Sequence, residues 1–162
     1  MPEDYQNNFE KRVSVEEIEE GTSLSPKFDE NGLIPCITTD CNSGEVLMMG
    51  YMNAESLTKT IETGEAYYYS RSQEKIWHKG SVSGLRQDIV EMMIDDDQDC
   101  LWVSVKVQGL GASCHVGYKS CFYRSIPIKR KVNKSLKLEK ADQEKLFDPE
   151  EVYKGLPNPT KI

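Results

Sequence analysis

The heptapeptide Leu-Trp-Val-Ser-Val-Lys-Val at residues 101–107 alternates without a break. A period of two puts Leu101, Val103, Val105 and Val107 on one face, the pattern of a half-buried β-strand, and so commits the chain to a sheet. Immediately before it, residues 94–100 read IDDDQDC, with four aspartates in five positions. On an extended chain Asp95, Asp97 and Asp99 share a face, while Asp96, Gln98 and Cys100 take the other. Three like charges stacked so closely repel. Either water screens them, or a hard cation sits among them and reverses the sign of the interaction.

The length of 162 residues fits about one domain with its own core, so no metal is needed merely to hold it folded. A formal net charge of -7 argues against a general nucleic-acid binder, which needs a positive surface to displace counterions. The N-terminal stretch MPEDYQNNFEKRVSVEEIEE lacks the apolar core of a secretory signal, and no segment nears a membrane span, so a cytoplasmic location is expected. In that compartment the five cysteines read as buried thiols or metal ligands before disulfides.

Residues 1–27 are polar and acidic and read as an extension, with one short helix over VEEIEEG. LIPCITTD and EVLMMGYM, separated by the turn composition CNSG, read as a strand pair. In NAESLTKTIETG, Asn53 caps a helix, Leu57 and Ile61 lie one turn apart on a face, and Gly64 ends it. EAYYYS and RQDIVEMMI read as strands around a long polar loop, with Tyr67, Tyr68 and Tyr69 dividing between core and surface. Short strands dominate. Residues 129–162 are charged and weakly periodic, an exposed helical or loosely ordered tail.

Two segments carry chemistry. In SCHVGYKSC, Cys114 and Cys121 bracket a glycine turn and could reach one Zn²⁺ at about 2.3 Å per bond. The seven-residue step is longer than that of a zinc knuckle, and spacing alone favours buried structural cysteines over a metal site. The pair supplies only two ligands, and the aspartates are the nearest concentration of further donors. In YYSRSQEKIWHKGSVSG, Arg71 offers a planar fork for phosphate, Lys79 a point charge, and Ser72 and Ser83 hydroxyls. Gly80 and Gly84 allow close approach of backbone N–H groups to an anion. Taken alone this is a solvated basic loop, except that Trp77 at its centre needs something to pack on. His78 reads as solvent-facing or substrate-contacting, and Cys36 and Cys41 as structural.

Together, VLMMGYMNAESL, TGEAYYYSRSQEKIWHKGSVSG, the aspartate cluster and SCHVGYKSCFYR resemble the phosphoribosyl-AMP cyclohydrolase family of histidine biosynthesis, over residues 32–124. The resemblance implies a β-rich α+β fold, a compact mixed sheet or pseudo-barrel with one or two short helices, completed by homodimerisation. It assigns residues 28–128 to the enzyme domain, and the tail is too short for the pyrophosphohydrolase domain that some relatives carry. It implies a zinc ion held by cysteines of both subunits, with Cys114 and Cys121 matching two ligands, and Mg²⁺ on Asp95, Asp97 and Asp99. His115 matches a histidine tied to activity. Arg71, Ser72, Trp77, Lys79, Gly80, Ser83 and Gly84 match the substrate-facing loop.

One departure stands out. Where the family reads Asp-Cys-Asp, this chain has Asp95-Asp96-Asp97, so the third zinc cysteine is missing. Asp96 can substitute through oxygen at about 2.0–2.2 Å. Cys100 is disfavoured, because on an extended chain it starts roughly 13 Å further along at about 3.3 Å per residue. The implied reaction is attack of a zinc-activated water on C6 of the N1-substituted adenine, with His115 moving protons and Mg²⁺, Arg71 and Lys79 holding two phosphates. The rival readings are a non-catalytic zinc module, a calcium loop, which lacks the required central glycine and twelfth-position glutamate, and a purine deaminase, which would release ammonia.

Overall fold

The structure is a computed structural model describing residues 4–140 and 143–162. Along the chain lie a 3-10 turn (Tyr5–Asn8), α1 (Val15–Glu20), β1 (Ile34–Asp40), β2 (Val46–Met52), α2 (Ala54–Thr63), β3 (Tyr67–Ser70), β4 (Lys75–His78), β5 (Gln87–Ile94), β6 (Leu101–Val107), β7 (Arg124–Ser125), β8 (Glu139–Lys140) and α3 (Pro149–Val152). The central sheet has the order β2-β1-β6-β5. β1 pairs antiparallel with β2 and parallel with β6, and β5 pairs antiparallel with β6. The parallel pair requires a long crossover. It is made by α2 and the β3–β4 hairpin.

The alternation in β6 does what its sequence dictates: Leu101, Val103 and Val105 are buried, and cross-strand partners Cys36 and Thr38 of β1 point the same way. Burying each of these three apolar side chains contributes about 1.5–3 kcal/mol. Ile34, Leu47, Met48, Met52, Leu57, Ala66 and Tyr68 complete the core, and Phe9 and Phe28 pack against it from before β1. The fold is thus β-rich α+β, with three short α-helices where one or two were expected. The central sheet is open, with β2 and β5 at its edges, so no barrel closes among the described residues.

α2 is capped as its sequence indicates. Ser56 N–H donates to the Asn53 side chain at 2.8 Å, Asn53 N–H donates to Ser56 Oγ at 2.9 Å, and Gly64 closes the helix at φ 72°. Its buried face differs from expectation. Ile61 is exposed, and Thr58 and Thr60 are buried with Leu57 instead. Each threonine can go inside because its hydroxyl donates to the carbonyl one turn back, at 2.8 Å.

Two further differences shape the site. The polar loop after β3 contains β4, so residues 67–78 form a hairpin and Trp77 is a strand residue whose ring packs on Tyr68, centroids 5.8 Å apart. The tail is exposed over residues 129–138 except at half-buried Leu136, but then returns. β8 pairs with β7, Phe147 is buried beside Leu85 and Ala112, and α3 follows.

Candidate active site

After β6 the chain turns at Gly109 and Gly111 and enters a tight loop. Cys114 N–H donates to the Tyr118 carbonyl, Gly117 N–H to the Cys114 carbonyl, and Ser113 N–H to the Lys119 carbonyl. Gly117 has φ 107°, and a Cβ there would overlap the Phe147 carbonyl oxygen, so the tail's return requires glycine at this position. Cys121 N–H donates to the Leu47 carbonyl at 2.7 Å, which pins the far side of the loop to β2.

These bonds bring the two thiols together. Cys114 is pushed down to about 6, first because the Cys121 thiol donates a hydrogen bond to it, with backbone N–H groups and Lys79 adding to the effect against burial. Cys121 is pushed up for the complementary reason. Losing its proton would break that bond and bring two anions together. The shared hydrogen bond favours a thiolate on Cys114 over one on Cys121, and two sulfurs are a soft donor set suited to zinc.

Lys79 lies beside them. The residue is 3 % exposed, and its ammonium donates to the Ser113 carbonyl at 2.6 Å and lies 4.8 Å from the centroid of Trp77. Burial lowers its pKa to about 8, with Cys121 and Cys114 opposing the fall. The phosphate-binding charge expected in a solvated loop is thus a buried counter-charge to the thiols. Gly80 follows at φ 87°, where a Cβ would overlap the Arg86 backbone nitrogen. Gly84 N–H donates to the Gly80 carbonyl, and Leu85 N–H to Ser83 Oγ, folding residues 80–85 into a compact turn at this end.

His115 follows Cys114 in the same loop. Its pKa is lowered by burial and by Lys79, against a hydrogen bond that the imidazole donates to the Asn158 side chain, and its Nε2 lies 3.5 Å from Thr160 Oγ1. The tail thus reaches the histidine. Beneath the loop runs a buried chain. Tyr68 OH meets Thr38 Oγ1 at 2.7 Å and donates to Gln87 Oε1 at 2.6 Å, and Gln87 Nε2 donates to Ser113 Oγ at 3.2 Å. Sequence reading missed Gln87, Asn158 and Thr160. The sequence signal for Gln87 was a polar residue opening a strand that then turns apolar, and its full burial appears only in the fold. His78 is paired with Glu65 at 3.1 Å and stacked on Tyr67.

Asp95, Asp97 and Asp99 do converge, each offering an oxygen within 4.8 Å of the others. They do so by another route than an extended chain. β5 ends at Ile94, and residues 95–100 form a turn in which Gln98 has φ 57°. Asp95 N–H donates to the Cys100 carbonyl, and Asp95 Oδ1 accepts from the N–H groups of Asp99 and Cys100. Asp99 is pushed up to about 6 by hydrogen bonds to Asp95 and Asp97 and by their charge. An all-oxygen cluster whose members raise one another's affinity for positive charge suits a hard divalent cation.

The turn also removes the distance argument against Cys100, which lies opposite Asp95 at the hairpin base. Its thiol donates weakly to the Leu101 carbonyl and neighbours buried Cys36, whose pKa is pushed up to about 12 by burial and then by Cys100. Asp96 is exposed and, among the described residues, has no hydrogen bond or ion pair.

The two clusters lie at opposite ends of the sheet. Gln87, at the start of β5, touches Ser113, whereas Asp95 follows the other end, and an eight-residue strand spans roughly 25 Å at about 3.3 Å per residue. Arg71 belongs to the aspartate end. Its guanidinium lies 4.2 Å from the centroid of Tyr51, and Tyr51 pairs with Pro35, next to Cys36, which pairs with Leu101. The expected loop residues are therefore divided, with Arg71 and exposed Ser72 on one side and Trp77, Lys79, Gly80, Ser83 and Gly84 on the other.

Comparison with known proteins agrees on one family. A profile described as phosphoribosyl-AMP cyclohydrolase matches residues 48–123. The phosphoribosyl-AMP cyclohydrolase of Rhodopseudomonas palustris (strain BisA53) is 53 % identical over 142 residues, 88 % of this chain and 95 % of the relative. Those of Bradyrhizobium diazoefficiens and Nitrobacter winogradskyi are 49 % and 47 % identical, covering 85 % and 88 % of this chain and 95 % of each relative.

Proposed function

The chain belongs to the phosphoribosyl-AMP cyclohydrolase family, and from that premise we propose that it hydrolyses the N1–C6 bond of the adenine ring of 1-(5-phosphoribosyl)-AMP, a step of histidine biosynthesis. The observation that carries the chemistry is the loop in which Cys114, Cys121, Lys79 and His115 meet. Cys114 and Cys121 would hold zinc, which when bound lowers the pKa of coordinated water from 15.7 to about 7. The chain's own groups do the rest. His115, kept neutral at pH 7 by burial and Lys79, accepts the proton of the attacking water. It then delivers a proton to N1 as C6 gains the water oxygen and the ring opens. Lys79 offsets the negative charge of the thiols.

Asp95, Asp97 and Asp99 would hold Mg²⁺, which with Arg71 and Ser72 fixes a substrate phosphate. Ser83 and Trp77 would present a hydroxyl and a ring face to the remainder of the substrate, with Gly80 and Gly84 shaping the turn that carries them. Because thiols and carboxylates lie a strand's length apart, one reaction centre using both requires a second copy, thiols from one subunit and the aspartate turn from the other. The exposed row Met49, Ile37, Trp102 and Met93, in register across all four strands, is an apolar face of the kind that seats such a partner. The third zinc donor then comes from the partner turn. Asp96 is the residue proposed, because its carboxylate is exposed and unengaged while the Cys100 thiol is turned onto Leu101 and Cys36.

Incubating the purified protein with phosphoribosyl-AMP, and following ultraviolet absorbance together with ammonia, tests the activity. Ring opening without ammonia is expected. Release of ammonia would indicate a deaminase, and no change a non-catalytic module.

A further inference from the structure

Residues 12–27 grip the aspartate turn. Gln98 is the one residue of that turn with left-handed backbone, and it is 5 % exposed although Asp97 and Asp99 on either side are only half-buried. Its side chain is fully used by the N-terminal segment. Oε1 accepts from Ser25 N–H at 2.8 Å, and Nε2 donates to the carbonyls of Ile18 at 3.0 Å and Ser23 at 3.2 Å. Its carbonyl accepts from Lys27 N–H at 2.7 Å. Arg12 adds a bridge. Its guanidinium donates from Nη1 to the Ser25 carbonyl at 2.7 Å and from Nη2 to the Asp97 carbonyl at 2.8 Å.

We propose that Arg12 and Gln98 are positioning residues for the divalent cation of the aspartate turn, with the N-terminal segment acting as the clamp that fixes it before the cation arrives. The inference rests on reading Asp95, Asp97 and Asp99 as cation ligands. Three carboxylates held within one small volume repel, and glutamine has no intrinsic preference for left-handed backbone, so the isolated turn tends to open. The clamp supplies the opposing bonds and spends none of them on carboxylate oxygens. Arg12 binds the carbonyl of Asp97, leaving the side-chain oxygen free for a ligand. A turn ordered in advance binds its cation more tightly, because the ordering is not deducted from the binding free energy. Coulomb repulsion between the guanidinium and the cation acts oppositely. The sign of the effect of removing Arg12 therefore distinguishes clamp from charge.

The test is Mg²⁺ titration calorimetry on the full-length, zinc-loaded protein, comparing wild type with Arg12→Ala, Arg12→Lys, Gln98→Ala and the ligand control Asp97→Asn. Arg12→Ala and Gln98→Ala are expected to weaken Mg²⁺ binding by about tenfold or more, the range seen when groups that orient metal ligands are removed. Amide exchange across residues 95–100 should quicken. Arg12→Lys keeps the charge but cannot bridge two carbonyls with a planar fork, so it should lose affinity in the same direction. Unchanged or tighter Mg²⁺ binding in Arg12→Ala, with circular dichroism like wild type, overturns the proposal. Should Gln98→Ala unfold, the two Arg12 variants, at a half-buried position, decide the matter. If wild type binds no Mg²⁺ that Asp97→Asn abolishes, the ligand reading itself fails and the clamp falls with it.

Discussion

The Lys79 ammonium donates to the Ser113 carbonyl at 2.6 Å, one residue before Cys114, and so fixes a positive charge inside the thiol loop. Its folded pKa of about 8 lies below the ordinary 10.5, chiefly because burial disfavours the charged form. Between those values the unfolded chain binds the proton more readily than the folded one, so stability from this group rises with pH and the cost of burial is full below about 8. Substituting Lys79→Met should remove a penalty on the order of 3 kcal/mol at pH 7. Urea unfolding of metal-free wild type and Lys79→Met at pH 7 and pH 10.5 measures it. The variant's stability advantage should be largest at pH 7 and shrink at pH 10.5.

Cys114→Ala and Cys121→Ala should each lose most bound zinc, measured by atomic absorption, and all measurable turnover. Both sulfurs sit in one loop whose hydrogen bonds and Lys79 favour the thiolate of Cys114, the form a soft metal binds. Near-normal activity in a zinc-free variant would contradict the assigned chemistry.

His115→Ala should leave zinc content and thermal stability near wild type while lowering kcat by about 10²–10⁴, the usual contribution of a positioned acid–base group. Parallel loss of zinc would instead make it a structural support of Cys114.

How much of this could be read from the sequence depends on which interactions set each feature. The strands around Leu101, Val103 and Val105 and the caps at Asn53 and Gly64 follow from local pattern and were legible. Thr58 and Thr60 replaced Ile61 on the buried face of α2 because their hydroxyls bond within the helix, which apolar periodicity does not register. The aspartates were legible as a cluster but not as a turn, since Gln98 takes up left-handed backbone only with residues 18–27 around it. The burial of Lys79 and the reach of Asn158 and Thr160 to His115 are long-range contacts that no local spacing announces.

Asp96 and Cys100 can be separated directly. Asp96→Ala should lower zinc affinity, whereas Cys100→Ser should be nearly silent because its thiol faces the Leu101 carbonyl and Cys36. Retained zinc in Asp96→Ala with loss in Cys100→Ser would transfer the third ligand to the cysteine.

The central claim is that each reaction centre joins the thiol loop of one copy to the aspartate turn of another. Co-refolding equal amounts of Cys114→Ala and Asp97→Asn chains, each inactive alone, measures this through turnover of phosphoribosyl-AMP. If sites are shared, half the dimers are mixed and each has one intact site, giving about a quarter of wild-type activity. No recovery from dimers shown to be mixed would contradict the account.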